Sequence, residues 1–586
     1  MSKIDFSGLW APTRDVYGAT VRASSWTRWA AVSLLVAALA GLLFGLQAPA
    51  ALPNGDAAVY AQQIAEQDFQ SRPVHRGYYV LMSALTGGAS ELDDQTLNRA
   101  HAVLAGATVG LTAFLAGVLC GGPAWGLLVL PVALAHGSLV ENAFWTEVYG
   151  PQCFFLVATF VLVAGGRVAW AGLPLAMAVL ITPSSLLAVP ALLLMRPDLR
   201  SFLSLGLVGG SVTLGSLATV YEDYLWGDRG LLKASGTAVD LKMAVLKEGF
   251  EVVFGFFGFL GLLALGLAVL AGRSHTRPWL AVLAVWWAPH FFLGERFRDV
   301  PVQLGLWVLL IPVVVLGVRE VARWGQDAAS EAPDDLLFGI STAEPGLRFL
   351  PTVVIAGGFL ALMPMIHIAR SQVQRFSDLP SWTFPALVAA AGIAGLACLT
   401  AVVRPSLSTR RSAAGVAWAV GAVVGILWTS HFVEKENQAM TAYRDLSLAV
   451  HGQHGEHGEH GEIGEAVDGY RVIAGWSRGI LYEHYLFQRS YVGIWINPAQ
   501  LSGDWGDGER SEAEQNLQSA MDRGLDIYWL SAATEQKTGS KVIDMLKTRG
   551  YRFEEMAGGE ARRGVAPAPE PIEPEEPIEA EESSDV

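Results

Sequence analysis

Four short stretches of the sequence set ionisable side chains at the edges of long apolar runs. Asp56 follows Gly55 just past the first run. A carboxylate at the mouth of a membrane cavity is partly desolvated, which lifts its pKa toward the range of a general base. The same Gly-Asp-Ala-Ala pattern also suits a helix N-cap. Next comes His75-Arg76-Gly77-Tyr78, an imidazole and a guanidinium beside a glycine that permits close backbone approach. This equipment fits an anionic head group, and it fits equally an interfacial turn anchored by Tyr78 and Tyr79.

The third stretch holds Glu141, Asn142, Trp145, Glu147 and Tyr149, two carboxylates with no positive charge beside them. Carboxylates at a bilayer boundary commonly face a cavity or a cation; no cofactor is fixed by the sequence, and a divalent cation is the candidate. Glu141 reads most simply as a solvated loop end; Glu147, between Trp145 and Tyr149 where the next run begins, reads as functional. The fourth is Glu295-Arg296-Phe297-Arg298-Asp299. Arg296 and Arg298 could grip a phosphate carried on a lipid through charge-assisted, often bidentate hydrogen bonds, or pair locally with Glu295 and Asp299. His290, in the apolar run before them, reads as packing.

The elements that must position these residues are membrane helices. The 586 residues are 52% hydrophobic and 16% charged, against roughly 25% charged in a soluble protein. Runs free of Asp, Glu, Lys and Arg occupy 29–47, 100–120, 123–140, 148–166, 168–195, 201–221, 252–272, 278–294, 301–318, 349–366, 383–403 and 412–433. A span needs about 20 apolar residues. The run 168–195 is longer than that and is broken by Thr182-Pro183-Ser184-Ser185, so it reads as one long tilted helix or as two short ones. With two, the basic residues divide 15 inside to 11 outside; with one, the division is even. The positive-inside rule therefore favours two. The expectation is an all-α polytopic membrane protein of about 13 transmembrane helices, with residues 1–28 cytoplasmic, an uncleaved first span, a membrane domain over 29–433, and all the candidate chemistry on the outer face, led by the outer loop 48–99. The mixed-charge segment 319–347 reads as a solvated connector on the inner face.

Beyond 433 the composition changes. Residues 434–468 contain a His-Gly tract with period three, too rich in glycine for a helix; it reads as a linker or a loose metal collector. Strands expected at 470–474, 491–496, 525–530 and 551–555 alternate with helices, which implies a small extramembrane α/β domain over 469–557 with a parallel sheet. Its first turn, Gly475-Trp476-Ser477-Arg478-Gly479, lacks a dinucleotide-binding spacing. Residues 558–586, acidic and proline-rich, read as a disordered tail. The net charge of −15 argues against nucleic acid as a partner, and Cys120, Cys153 and Cys398 lie inside apolar runs with no disulfide pattern.

In order and spacing, Gly55-Asp56, His75-Arg76-Gly77-Tyr78 and Trp145-Thr146-Glu147-Val148-Tyr149 resemble the motifs of the GT-C superfamily of integral-membrane glycosyltransferases, and most closely its bacterial branch related to animal protein O-mannosyltransferases. Arg76 stands where that branch usually has proline, and Val59 stands where its second acidic residue would be. The resemblance covers about residues 28–200 and, more weakly, the loop 295–301. It implies an inner-membrane enzyme that takes a sugar from a polyprenyl-phosphate donor and passes it to a protein, lipid or glycan acceptor on the outer face. Asp56 would then act on the acceptor hydroxyl, Arg296 or Arg298 would hold the carrier phosphate, and His75, Arg76, Tyr78, Glu147 and Tyr149 would line the substrate site. The C-terminal domain, on the periplasmic side, would help select the acceptor.

Two rival readings remain at this level. A transporter should carry ionisable groups deep in several spans and often an internal repeat, and this sequence has neither feature. A non-catalytic scaffold of an envelope polysaccharide system is kept in play by Val59.

Overall fold

The first helix, α1 (Ala23–Leu46), carries a single charge, Arg28. From Thr27 to Leu46 its mean hydropathy is 2.2. Leu34, Leu35, Leu39, Leu42 and Leu46 are exposed on its surface. A leucine face of this kind has no place in water and suits lipid. The computed structural model describes residues 23–48, 55–67, 69, 75–87, 94–134, 139, 142–143, 146–165, 167–195, 199–217, 276–292, 304–327, 336–337, 340–341, 393, 441, 470–473, 495–496, 515, 517–530, 543–556 and 561–567. The chain divides into two compact units, one of residues 1–50 and 63–435, the other of 51–62 and 436–586.

In the first unit, α3 (Arg76–Thr86) is followed by α4 (Asp94–Leu119), which is long and apolar enough to cross a membrane, like α1, but mostly buried. Small residues set the approach of α1 to α4. Gly106 and Gly110 lie four apart, on one face of α4. A Cβ at Gly106 would sit 2.5 Å from Gly41 Cα, and one at Gly110 would sit 2.5 Å from Ala37 Cβ. Ser33 Oγ adds a hydrogen bond to the Gly110 carbonyl. In lipid no hydrophobic force drives two apolar helices together, so backbone approach through small residues supplies the packing.

The run 123–140, expected as one span, begins differently. A 3-10 helix (Pro123–Leu128) leads into the short α5 (Val129–Leu134). Pro123 opens the 3-10 helix, where its missing N–H costs nothing, and Pro131 removes a backbone donor further along. Beyond it lie α6 (Tyr149–Ala164) and α7 (Val168–Ile181). The run 168–195 is not one helix. Thr182 is extended, Pro183–Ala188 forms a 3-10 helix, and α8 (Val189–Met195) follows. Helix α9 (Leu199–Leu217) lies against α7, where Gly172 leaves room for Val208 and the backbone of Gly209.

Two further helices follow, α10 (Thr276–Phe292) and α11 (Leu304–Asp327). Phe160 of α6 stacks on Trp286 of α10 at 5.2 Å, and Trp279 Nε1 donates to the Leu309 carbonyl of α11. Helix α11 runs past 318 through Arg319, Glu320 and Arg323, so the expected inner connector starts as helix; a small hairpin, β1 (Leu336–Leu337) with β2 (Ile340–Ser341), lies further along it. The runs 252–272, 349–366 and 412–433 lie outside the described residues, as does 383–403 apart from residue 393.

The second unit contains most of α2 (Gly55–Ala65) and a five-stranded sheet. Its strands are β3 (Tyr470–Ile473), β4 (Trp495–Ile496), β5 (Asp526–Leu530), β6 (Arg552–Met556) and β7 (Ala561–Val565), in the order β4-β3-β5-β7-β6. β3 runs parallel to β4 and β5, whereas β7 is antiparallel to both β5 and β6. The sheet is therefore mixed rather than parallel, and the tail expected from 558 gives up Ala561–Val565 to a strand in its interior. Arg563 is the reason such a polar segment pairs there. Its guanidinium donates twice to Asp526 Oδ2 on β5, at 2.9 Å and 2.5 Å. Helical residues 517–522 and 543–548 cover an apolar cluster of Leu517, Ala520, Ile527, Leu546 and Tyr551, with the Tyr551 hydroxyl donating to the Leu525 carbonyl at 3.0 Å.

Candidate functional site

In the first unit most of the buried polar side chains gather where α3, α4 and α6 begin and α7 ends. The break after α7 accounts for one group of them. Pro183 has no N–H and Thr182 is extended, so the helical ladder of α7 ends with the Thr182 amide. Ala178 O accepts from the Thr182 amide at 2.8 Å and from Ser185 Oγ at 2.9 Å. Gln152, buried in the first turn of α6, donates its amide to Ser184 Oγ at 3.1 Å and to Ser185 Oγ at 2.9 Å. His75 Nδ1 donates to the Ile181 carbonyl at 2.7 Å.

His75-Arg76-Gly77-Tyr78 is thus fixed against this break. Gly77 is buried at the point of closest approach, where a Cβ would lie 2.7 Å from Leu180 Cβ and 2.9 Å from the Leu180 carbonyl carbon. Only a glycine lets α3 lie this close to α7. Arg76, half-buried, is the first residue of α3.

Tyr78 turns the other way. Its hydroxyl and His101 Nε2, on α4, are hydrogen-bonded at 2.9 Å, and both residues are buried. Burial, then the nearby carboxylate of Glu147, then Tyr79 hold the Tyr78 phenol well above its ordinary pKa of 10. It therefore stays protonated at any physiological pH and acts as a hydrogen-bonding group. One turn earlier on α4, buried Asn98 accepts a hydrogen bond from Thr146 Oγ1 at 2.7 Å. Glu147, the neighbour of Thr146, is half-buried in the turn before α6, and Tyr149, also half-buried, is the first residue of that helix.

Of the sequence candidates, His75, Tyr78 and Glu147 are thereby tied to one polar layer, with Arg76 and Tyr149 on the elements that form it. Asp56 belongs to the second unit, as the second residue of α2. Arg296 and Arg298 lie outside the described residues, as do Glu141, Trp145 and the His-Gly tract. Among the described residues, no three His, Cys, Asp or Glu side chains are grouped to hold a metal ion. Sequence reasoning passed over Asn98, His101, Thr146 and Gln152. A histidine within an apolar run was the available signal, since ionisable residues inside a membrane helix are rare and seldom idle.

The fold of this chain is shared with solved structures. The structures that define the likeness are crystal structures of ArnT from Cupriavidus metallidurans, one bound to undecaprenyl phosphate and one in the apo state. The first superposes with a TM-score of 0.50 at 14% identity, covering 93% of this chain and 99% of that one. The second gives 0.50 at 13% identity over 91% and 97%. No family model and no curated protein sequence matches the chain.

Proposed function

We propose that this protein is an inner-membrane glycosyltransferase that moves a sugar from a polyprenyl-phosphate carrier to an acceptor on the outer face. The observation that carries the reading is a fold shared with ArnT over 93% of the chain, one of the two ArnT structures being bound to undecaprenyl phosphate. The order of Gly55-Asp56, His75-Arg76-Gly77-Tyr78 and Trp145-Thr146-Glu147-Val148-Tyr149 supports it independently and points to the branch related to protein O-mannosyltransferases. In this reading Asp56 deprotonates or orients the acceptor hydroxyl. The oxygen so activated attacks the anomeric carbon, and the carrier phosphate leaves, held by Arg296 or Arg298.

Glu147, Tyr149 and Arg76 bind substrate, while His75 and Tyr78 shape the wall on which they stand. The C-terminal unit, on the periplasmic side, selects the acceptor. The test is transfer of labelled sugar from a panel of undecaprenyl-phosphate-linked hexoses and pentoses to native membranes by purified full-length protein. Asp56→Asn should lower the rate by about 10²-fold or more, the range of a general base. Full activity of the variant removes Asp56 from the chemistry. No transfer by the wild type from any donor favours the scaffold reading that Val59 keeps in view.

A further inference from the structure

Near its start helix α4 presents two buried polar side chains, Asn98 and His101, three residues apart and so on one face. Each is hydrogen-bonded to a different segment. Asn98 holds Thr146 at 2.7 Å and His101 holds Tyr78 at 2.9 Å. Thr146 is the chain neighbour of Glu147, and the Tyr78 phenol lies within range of its carboxylate's charge. The segment is gripped on its other side as well. At Gly150, three residues beyond Glu147, a Cβ would lie 3.1 Å from the Asn142 carbonyl oxygen and 3.8 Å from His101 Nδ1, so the first turn of α6 settles directly onto the platform. That Nδ1 is buried and has no hydrogen-bond partner among the described residues, which marks His101 as more than an apolar filler.

We propose that Asn98 and His101 are positioning residues for Glu147, Asn98 acting through Thr146 and His101 through Tyr78. Glu147 is then a carboxylate fixed in place before substrate arrives, with the bond-accepting chemistry that recognises a sugar or acceptor hydroxyl. The proposal rests on the glycosyltransferase reading for its substrate class but not for its geometry.

Two variants remove one hydrogen bond each at nearly constant volume, Thr146→Val and Tyr78→Phe, and Thr146→Ser restores the donor of the first. With the panel donor that the wild type uses, each of the first two should lower kcat about tenfold, the effect of one lost buried hydrogen bond. KM for the donor should stay within about twofold, and Thr146→Ser should recover wild-type kcat. Tyr78→Phe added to Glu147→Gln should cause no further loss, because the tyrosine acts through the carboxylate. Unchanged kcat in both variants, or an additive loss in the double variant, overturns the proposal.

If the wild type transfers no sugar, the functional reading fails and the geometry is judged by hydrogen exchange over residues 142–150 in the same detergent-solubilised chain. Exchange about tenfold faster in Thr146→Val and Tyr78→Phe but not in Thr146→Ser upholds the platform. Wild-type protection in both variants overturns it.

Discussion

The two ends of α4 solve the burial of polar atoms in opposite ways. Toward its C-terminus Thr108 and Thr112 turn their hydroxyls back to carbonyls of their own helix, Leu104 O and Thr108 O, both at 2.8 Å. The glycine seam with α1 lies in the same stretch. Toward its N-terminus Asn98 and His101 direct their polar atoms away from the helix, to Thr146 and Tyr78. A hydroxyl satisfied locally constrains nothing else, whereas one satisfied across a gap fixes the position of a second segment. The C-terminal part therefore sets stability, and the N-terminal part sets geometry at the end where the candidate site lies.

The sharpest way to break this comparison is Gly106→Leu. The new side chain meets backbone on every side, Gly41 Cα and N at 2.5 Å and the Ala37 carbonyl at 2.9 Å. Backbone cannot swing aside as a flexible side chain does, so α1 and α4 must part. A loss on the order of 3 kcal/mol is expected, read as a lowered unfolding midpoint in detergent. A midpoint equal to that of the wild type would mean that the seam contributes nothing.

His101→Leu should follow with a smaller effect. It keeps an apolar body in the span and removes the partner of the Tyr78 hydroxyl, a change of roughly 1–3 kcal/mol for a buried polar group. The contrast with the seam is qualitative as well. Gly106→Leu should depress stability and activity together, while His101→Leu should depress kcat further than its midpoint shift explains. Equal proportions in the two variants would erase the distinction between the parts of α4.

Much of the scaffold was legible because apolar length and proline are local signals. The runs 29–47, 100–120 and 148–166 appear as α1, α4 and α6, and Thr182-Pro183 ends α7 as the missing amide requires. In the second unit the strands around 470, 495, 526 and 552 follow their alternating pattern. What escaped depends on tertiary partners. Ala561–Val565 is too polar to announce a strand and becomes one through the Arg563–Asp526 pair. Gly106 and Gly110 acquire meaning only opposite Ala37 and Gly41. His101 was hidden because runs were delimited by Asp, Glu, Lys and Arg alone, so that an imidazole inside a run passed as apolar, and Asn98 because it falls before the run 100–120, in the segment read as the loop 48–99. The motif His75-Arg76-Gly77-Tyr78 was legible as a unit, but its glycine serves the approach of two helices, and its histidine and tyrosine point to different partners.

The smallest expected effect tests whether the polar layer is uniformly important. Thr182 lies in it, 8% exposed, yet its hydroxyl has no hydrogen-bond partner among the described residues. Gln152, Ser184 and Ser185 nearby form hydrogen bonds around the break, and the Thr182 amide already reaches Ala178 O. A buried hydroxyl without a partner opposes folding, since the water it left was a better partner than the apolar surroundings it gained. Valine replaces that hydroxyl with a methyl group of the same shape and suits the extended backbone at φ −151 and ψ 121. Thr182→Val should therefore leave stability unchanged or raise it by about 1 kcal/mol, with the unfolding midpoint in detergent as the measure. A fall of that size instead would reveal a partner for Thr182 and enlarge the network that holds the break. A neutral result separates the polar atoms that position Glu147 from one that merely lies beside them.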